Sequence, residues 1–211
     1  EGVLLAGYYG LGEERFEPVV NGVDEIFFTP ADPGLFRANF GIDGPFLLCM
    51  ANIEPRKNQR RLIEASRDCG MTLVLAGRIR DMAYWQQCLE VMHDGVRYVG
   101  PLEHASELHR SAYAACRAFV LPTLLETPGL AALEAAAQGV PICITREGCT
   151  REYFAEHAAY VDPESVASIR AGMQAVMHGA RSAALRNFVR EHFTWDRAAE
   201  QLESVYRRFV R

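Results

Sequence analysis

The sequence lacks several features that would place it in a familiar class of protein. No apolar run approaches the roughly 20 residues that a membrane span requires. The N-terminal residues EGVLLAGYYG contain no basic region of the kind that begins a secretory signal. These two absences predict a cytosolic protein. The formal net charge is −5, which argues against nonspecific nucleic-acid binding as the main activity, because such binding needs a basic surface.

Signals for metal sites and disulfides are also missing. The six cysteines form no C-x-x-C pair and lie mostly inside apolar segments, and the six histidines show no ligand spacing. We therefore expect reduced cysteines in the core and no metal site. Lysine is scarce as well, since the 22 basic residues are 21 arginines and a single lysine, Lys57.

Apolar runs rich in β-branched residues alternate with helical patterns along most of the chain. Strands are predicted at residues 46–50, 72–76, 96–99, 118–121, 141–144 and 158–161, and helices between them at 58–67, 81–93, 106–115 and 127–138. This alternation indicates an α/β fold, a Rossmann-like parallel sheet of about six strands with helices on both faces. A helical C-terminal tail is predicted over residues 164–211, broken at HFTW, whereas residues 21–30 are predicted to form a loop outside the core.

Ligands of open parallel sheets bind beyond the carboxyl ends of the strands, so the loops there are the first candidates for a site. Arg56 and Lys57 follow the first strand and precede the next helix, whose dipole already presents positive partial charge. More positive charge destabilises a helix start unless an anion such as a diphosphate binds there. Two interpretations stay open for these side chains: an anion site, or extension into water.

The segment LLETPGLAALEAAAQGVP contains two carboxylates eight positions apart, Glu126 and Glu134. Thr127 as the N-cap and Pro128 in the first turn predict that the helix begins at 127. The helix is apolar nearly all round, so Glu134 is a buried carboxylate that needs partners. A salt bridge or a narrow solvent-facing stripe would satisfy it, and so would the hydroxyls of a ribose diol, as in dinucleotide-binding folds.

Glu126 precedes this helix start and would lie beside any anion that binds there. Because like charges repel, its useful partners are hydroxyls, such as those of a sugar. The free N–H groups at the helix start lie next to Gly129, which permits close approach of a ligand. A nucleoside-diphosphate sugar would satisfy the two helix ends and the two carboxylates together.

These residues resemble a known family, the GT-B fold retaining glycosyltransferases of family 4, in their C-terminal, donor-binding domain. The resemblance extends over about residues 21–209. It includes NGVD at 21–24, EPRKN at 54–58, LVLAG at 73–77, VGPL at 99–102, the E-x₇-E pair within LPTLLETPGLAALEAAAQGVP, and FTW at 193–195. Each motif alone is weak, but their order and spacing together are specific.

The resemblance implies that the substrate is a UDP- or GDP-linked sugar, with no metal and no cofactor. Lys57 is implied to contact the donor diphosphate, Glu126 the transferred sugar and Glu134 the ribose, with Lys57 and Glu126 as the catalytic residues. The loop at residues 100–102 would border the base. The full implied donor-binding set is Asn52, Arg56, Lys57, Gly77, Arg78, Gly100, Leu102, Glu126, Thr127, Gly129, Leu130 and Glu134.

Two positions depart from the family pattern. Relatives commonly have Gly-Arg after the first strand, with the arginine on the diphosphate, whereas this chain has Ala51 and Asn52. Arg56 is expected to compensate. Relatives also commonly have Glu-Gly-Phe-Gly before the helix, and here Pro128 removes one backbone donor.

The resemblance divides the chain into a connecting segment at 1–45, a nucleotide-sugar-binding Rossmann-like domain at 46–194 and a C-terminal helix at 195–211. It implies an N-terminal acceptor domain, in the same or a separate chain, that binds a saccharide or lipid-linked acceptor. The expected location is cytoplasmic, peripheral at the inner membrane through that domain. A noncatalytic nucleotide-binding or regulatory module remains the alternative. A hydrolase fits poorly, because glycosidase carboxylates flank one scissile bond.

Overall fold

A six-stranded parallel sheet forms the centre of the computed structural model, which describes residues 2–12 and 16–209. The strands are β1 (Phe46–Met50), β2 (Thr72–Ala76), β3 (Val96–Tyr98), β4 (Ala118–Leu121), β5 (Ile142–Thr145) and β6 (Ala158–Val161). Their order is β3-β2-β1-β4-β5-β6, and every neighbouring pair is parallel. The predicted fold class is confirmed, and each predicted strand end lies within one residue of the observed end.

The burial of the strands explains why they were visible in the sequence. Every residue of β1, β4 and β5 is buried, because helices cover both faces of the sheet. Such strands appear as continuous apolar runs. The strand order reverses between β1 and β4, and in doubly wound folds the ligand crevice lies at this reversal, outside the carboxyl ends of the strands.

Ten α-helices and two 3₁₀ turns surround this sheet within the described residues. They are α1 (Gly2–Tyr9), α2 (Pro33–Phe40), α3 (Gln59–Ser66), α4 (Met82–Glu90), α5 (Glu107–Ala115), α6 (Leu130–Ala137), α7 (Thr150–Phe154), α8 (Val166–Met177), α9 (Ala183–His192) and α10 (Trp195–Phe209), with the 3₁₀ turns at Glu25–Phe28 and Pro55–Lys57. The predicted break at FTW is confirmed. The tail is not continuously helical, however, since residues 178–182 separate α8 from α9, and residues 210–211 lie outside the described residues.

The prediction that residues 21–30 lie outside the core is wrong. Phe27 and Phe28 sit in the 3₁₀ turn and are buried. The ring of Phe27 makes edge contacts with the rings of His109 and Tyr113, so this turn packs directly against α5. A four-residue turn is too short to show a helical period, which is why its two phenylalanines did not mark it as core. The division of the chain into three parts stays a prediction.

The helix containing Glu134 begins three residues later than predicted. Its N-cap is Gly129, in the left-handed region at φ 64°, so Thr127 and Pro128 belong to the preceding loop. The cause is a bridge between Glu126 and Gly148, which holds the backbone at 126 extended. The chain then needs residues 127–129 to turn into the helix, and Glu134 lies in its second turn.

The helices and the cysteines can be compared with what the sequence predicts. None of the helices in the described ranges is both long and apolar enough to span a bilayer. Four cysteines, Cys49, Cys88, Cys116 and Cys143, are buried in the core as expected. Burial raises the pKa of Cys49 to about 12, so this sulfur is a neutral thiol at pH 7.

Candidate functional site

The loops that follow β1 and β4 meet at the strand-order reversal and are joined by hydrogen bonds. The backbone N–H of Leu124 donates to the carbonyl of Arg56 at 2.9 Å. The buried side-chain amide of Asn58 donates to the carbonyl of Pro122 at 2.9 Å and to that of Pro163 at 2.7 Å. The loop after β1 and the loop after β4 therefore form one connected structure at the carboxyl ends of the two central strands.

Lys57 and Glu126 are brought together across these loops. Lys57 Nζ lies 2.7 Å from Glu126 Oε2, and the two side chains are only 14% and 9% exposed. Arg56 Nη1 lies 3.9 Å from the same carboxylate oxygen, 3.2 Å from the carbonyl of Leu125 and close to Glu54. The carboxylate is thus largely shielded from water, and two cations compensate its charge.

Two glycines shape the surroundings of Glu126. A Cβ atom on Gly148 would overlap the carbonyl oxygen of Glu126, and Gly148 has φ 96°, so only glycine fits this approach. Gly129 is buried, and a Cβ atom there would lie 3.3 Å from Cγ of Glu126. The predicted site residue Thr127 lies between Glu126 and Gly129 in sequence, and its side chain is exposed.

A cleft of about 510 Å³ opens beyond the carboxyl ends of β1 and β2. Six of the predicted donor-binding residues line it: Asn52, Gly77, Arg78, Leu102, Leu130 and Glu134. Gly100 does not line it but is joined to the lining, because its carbonyl accepts the N–H of Gly77 at 2.9 Å. Arg56, Lys57 and Glu126 are grouped beside it rather than in its lining.

Arg80 also lines this cleft and was not predicted. A backbone bridge between Ile53 and Ile79 extends the pairing of the two loops beyond the strands. Ile79 packs against the core, so its neighbours Arg78 and Arg80 both project to the other side, where they are exposed in the cleft. Arg56 was expected to replace the arginine that relatives have at position 52, but it is engaged with Glu54 and Glu126. In GRIRD, arginine alternates with isoleucine, and this alternation could have predicted that Arg78 and Arg80 face the same side of an extended segment.

Glu134 is 8% exposed and has partners on both carboxylate oxygens. Tyr113 donates its hydroxyl to Oε2 at 2.6 Å, and Nε2 of His104 lies 3.0 Å from Oε1. Burial raises the pKa of Glu134, while the hydrogen bonds from Tyr113 and His104 oppose that rise. Of the alternatives from the sequence, a salt bridge has a partner in the imidazole of His104, while the ribose contact stays a prediction. Glu134 lines the cleft and also a smaller cavity of about 120 Å³ on the side of Asp24 and Trp195.

His109 is a further neighbour of Glu134, with Nε2 at 3.6 Å from Oε2 and 2.7 Å from the sulfur of Met50. Burial lowers the pKa of His109 to about 4, and the charge of His104 acts in the same direction. The ring is therefore neutral at pH 7. Because Nδ1 accepts the backbone N–H of Ala105, we assign the proton to Nε2.

Three contacts of Glu134, from His104, His109 and Tyr113, were missed in the sequence. His109 and Tyr113 are four residues apart on α5, so they share one face of that helix. The spacing itself was visible in HRSAY. That this face meets α6 depends on tertiary packing, which the sequence pattern does not specify.

Metal binding has no clear location in this site. Within residues 2–12 and 16–209, no group of three or more histidine, cysteine, aspartate or glutamate side chains is arranged to hold a metal ion. The cations in and beside the cleft are instead side chains of the protein: Arg56, Lys57, Arg78 and Arg80.

The family described as "Glycosyl transferases group 1" matches residues 35–192 of the chain. D-inositol 3-phosphate glycosyltransferase of Geodermatophilus obscurus is 28% identical over 96% of this chain and 49% of its own length. Sucrose-phosphate synthase from Thermosynechococcus elongatus has a similar structure, with a TM-score of 0.77 and 24% identity over 90% of this chain and 51% of that one. Anabaena HepE, solved with UDP and glucose, has a TM-score of 0.80 and 18% identity over 94% and 58%. The chain spans about half the length of these proteins.

Proposed function

The chain belongs to the group 1 glycosyl transferases, and we propose that it is the donor-binding domain of a retaining enzyme of that family. The enzyme would transfer a sugar from a UDP- or GDP-linked donor to a saccharide or lipid-linked acceptor. The observation that carries the proposal is the position of Lys57 and Glu126 at the strand-order reversal, beside the cleft that Glu134 lines. The UDP and glucose bound to HepE are of the proposed ligand chemistry.

In this proposal the ribose hydroxyls bind Glu134, and the base lies along Gly100 and Leu102. The diphosphate extends from the ribose along the start of α6 toward Lys57. Leu130, the first residue of α6, lines the cleft, and the N–H groups of a first helical turn favour an anion. Arg78 and Arg80 project into the same cleft and add positive charge.

The ion pair between Lys57 and Glu126 gives each residue a role in the reaction. An arriving diphosphate competes for the Lys57 ammonium, and Glu126 is then released to accept hydroxyls of the transferred sugar. As the bond to the sugar breaks, Lys57 stabilises the charge that develops on the leaving diphosphate. This cationic stabilisation would replace stabilisation of the leaving diphosphate by a metal ion. We therefore propose that the domain needs no metal and no resident cofactor.

The rest of the proposed enzyme is an N-terminal acceptor domain, in the same or a separate chain. The 211 residues alone would bind nucleotide weakly and transfer no sugar, because in this proposal the acceptor binds to that other domain. We place the enzyme in the cytoplasm, peripheral at the inner membrane through the acceptor domain. Efficient sugar transfer by the 211-residue chain would contradict this division.

Titration calorimetry with UDP and GDP tests the proposal. Glu134→Gln should weaken binding about tenfold or more, since hydrogen bonds to a charged acceptor contribute about 1.5–3 kcal/mol. Glu126→Gln should not weaken nucleotide binding, because Lys57 is then free for the diphosphate, but it should reduce transfer in the complete enzyme. Glu90→Gln, at the exposed end of α4, is the matched control for loss of one carboxylate. Equal loss of nucleotide binding in Glu126→Gln and Glu134→Gln would refute the separate roles, and no binding of either nucleotide at millimolar concentration would favour the noncatalytic module.

A further inference from the structure

The carboxylate of Glu134 is held from its buried side by helix α5. Tyr113 is fully buried, and its hydroxyl donates to Oε2 at 2.6 Å. His109, one turn earlier on the same helix, is 5% exposed and places Nε2 3.6 Å from the same oxygen. Both contacts reach Oε2, so one oxygen of the carboxylate is committed to the protein interior.

The other oxygen, Oε1, contacts a residue of the cleft lining. Its partner there is His104, whose side chain is 66% exposed and also lines the cleft. An exposed imidazole is displaced from a carboxylate far more easily than a buried tyrosine, because water replaces the contacts it loses. Oε1 is therefore the oxygen that an arriving ligand can reach.

The loop that presents His104 is itself fastened to α5. Ala105 has a left-handed backbone at φ 59°, which is unfavourable for a residue with a Cβ atom. Its N–H donates to Nδ1 of His109 at 3.0 Å, and this hydrogen bond helps to hold the loop in that conformation. Local strain kept in place by a specific contact is found preferentially at ligand sites.

We propose that Tyr113 is a positioning residue, which fixes the Glu134 carboxylate so that Oε1 faces the 2′,3′-diol of a bound nucleotide. The inference rests on the proposed function and adds to it the residue that orients the ribose acceptor. The hydroxyl of Tyr113 touches no ligand atom. It removes the rotational freedom of the carboxylate before the ligand arrives, which is preorganisation of the site.

The test compares each nucleotide with an analogue that lacks the diol. Affinities of the 211-residue chain for UDP and GDP are measured against those for their 2′,3′-dideoxy forms. The wild-type chain should prefer the natural nucleotide about tenfold or more, and Tyr113→Phe should reduce that preference to about threefold or less while leaving the affinity for the dideoxy form within about twofold. In a Glu134→Gln background, Tyr113→Phe should have no further effect on the preference.

Tyr160→Phe is the matched control, because the hydroxyl of Tyr160 donates to the carbonyl of Ala155 at 2.7 Å on the edge strand β6. It should keep the wild-type preference. Binding of neither nucleotide by the wild-type chain would refute the proposed function and this inference together, and equal binding with and without the diol would refute the ribose role of Glu134. A wild-type preference that persists in Tyr113→Phe would overturn only the role of Tyr113.

A second measurement covers the case in which Tyr113→Phe does not fold. In the wild-type chain, the ring resonances of Tyr113 should shift on addition of the nucleotide that binds. The dideoxy form should leave them in place. Identical shifts with both ligands would overturn the inference, since the ring would then respond to occupancy of the cleft rather than to the diol.

Discussion

At the scale of single residues, the buried charge of Glu126 is compensated by two cations. Lys57 lies 2.7 Å from this carboxylate in a position where both side chains are mostly buried, whereas Arg56 is farther away and half exposed. Removing one partner of a buried ion pair leaves a charge without compensation, while removing both is often close to neutral.

Lys57→Met should therefore lower the free energy of unfolding by about 1–3 kcal/mol, with partial compensation from Arg56. Adding Glu126→Gln to that variant should recover most of the loss. Urea denaturation of the single and double variants measures both effects. Arg146→Met, which removes an exposed ion pair with Asp162, is the control and should cost less than about 1 kcal/mol. A Lys57→Met variant no less stable than this control would show that the ion pair contributes little to the fold.

His109 should make the stability of the protein depend on pH. Its folded-state pKa is about 4 against an ordinary value of 6.5, so between these values the unfolded chain binds the proton and the folded protein does not. Stability is thus lost as the pH falls from 6.5 toward 4, by up to about 3 kcal/mol. Glu134 acts in the opposite direction, because its raised pKa lets the folded protein bind a proton more readily than the unfolded chain.

The difference between the wild-type protein and His109→Gln isolates the histidine contribution, since both retain Glu134 and His104. The variant should lose less stability between pH 6.5 and pH 4 than the wild-type protein in urea denaturation. His178→Gln, at an exposed position after α8, is the control and should follow the wild-type curve. Parallel curves for wild type and His109→Gln would contradict the assigned pKa shift.

At the scale of elements, the strands and most helices could be predicted because each has a local signal. Buried parallel strands are continuous apolar runs, and several helices begin at a side-chain cap, such as Asp81 for α4 and Ser106 for α5. Helix α2 was missed although Asp32, Pro33 and Gly41 mark its two ends. The start of α6 could not be predicted, because it depends on the contact between residues 126 and 148, which are distant in sequence.

Gly148 carries that contact, so Gly148→Ala should shift the loop that holds Glu126. The new Cβ atom would overlap the carbonyl oxygen of Glu126, and we expect a loss of about 2–4 kcal/mol of stability in thermal or urea unfolding. Gly70→Ala is the matched control, since Gly70 has a similar positive φ of 73° but open space around its Cα. The control should lose only the backbone term of about 1–2 kcal/mol. Equal losses in the two variants would exclude the close approach as the reason for glycine at 148.

At the scale of the whole molecule, the strand order creates the site. The order β3-β2-β1-β4-β5-β6 places the loops after β1 and β4 side by side, although about 70 residues of sequence separate them. The convergence of Lys57 with Glu126 could therefore be predicted from the sequence once a doubly wound sheet was predicted. The contacts of Glu134 with α5 could not, because they depend on how two helices pack rather than on the order of the strands.

Mapping of backbone amide shifts on addition of UDP or GDP locates the donor site directly. We expect shifts at the cleft and beside it, at residues 52–58, 77–80, 100–104 and 126–134, with helix α10 unchanged. Glu134→Gln should strongly reduce the shifts at the same nucleotide concentration. Shifts confined to the region of α9 and α10, or none at millimolar nucleotide, would contradict the assignment of the cleft as the donor site.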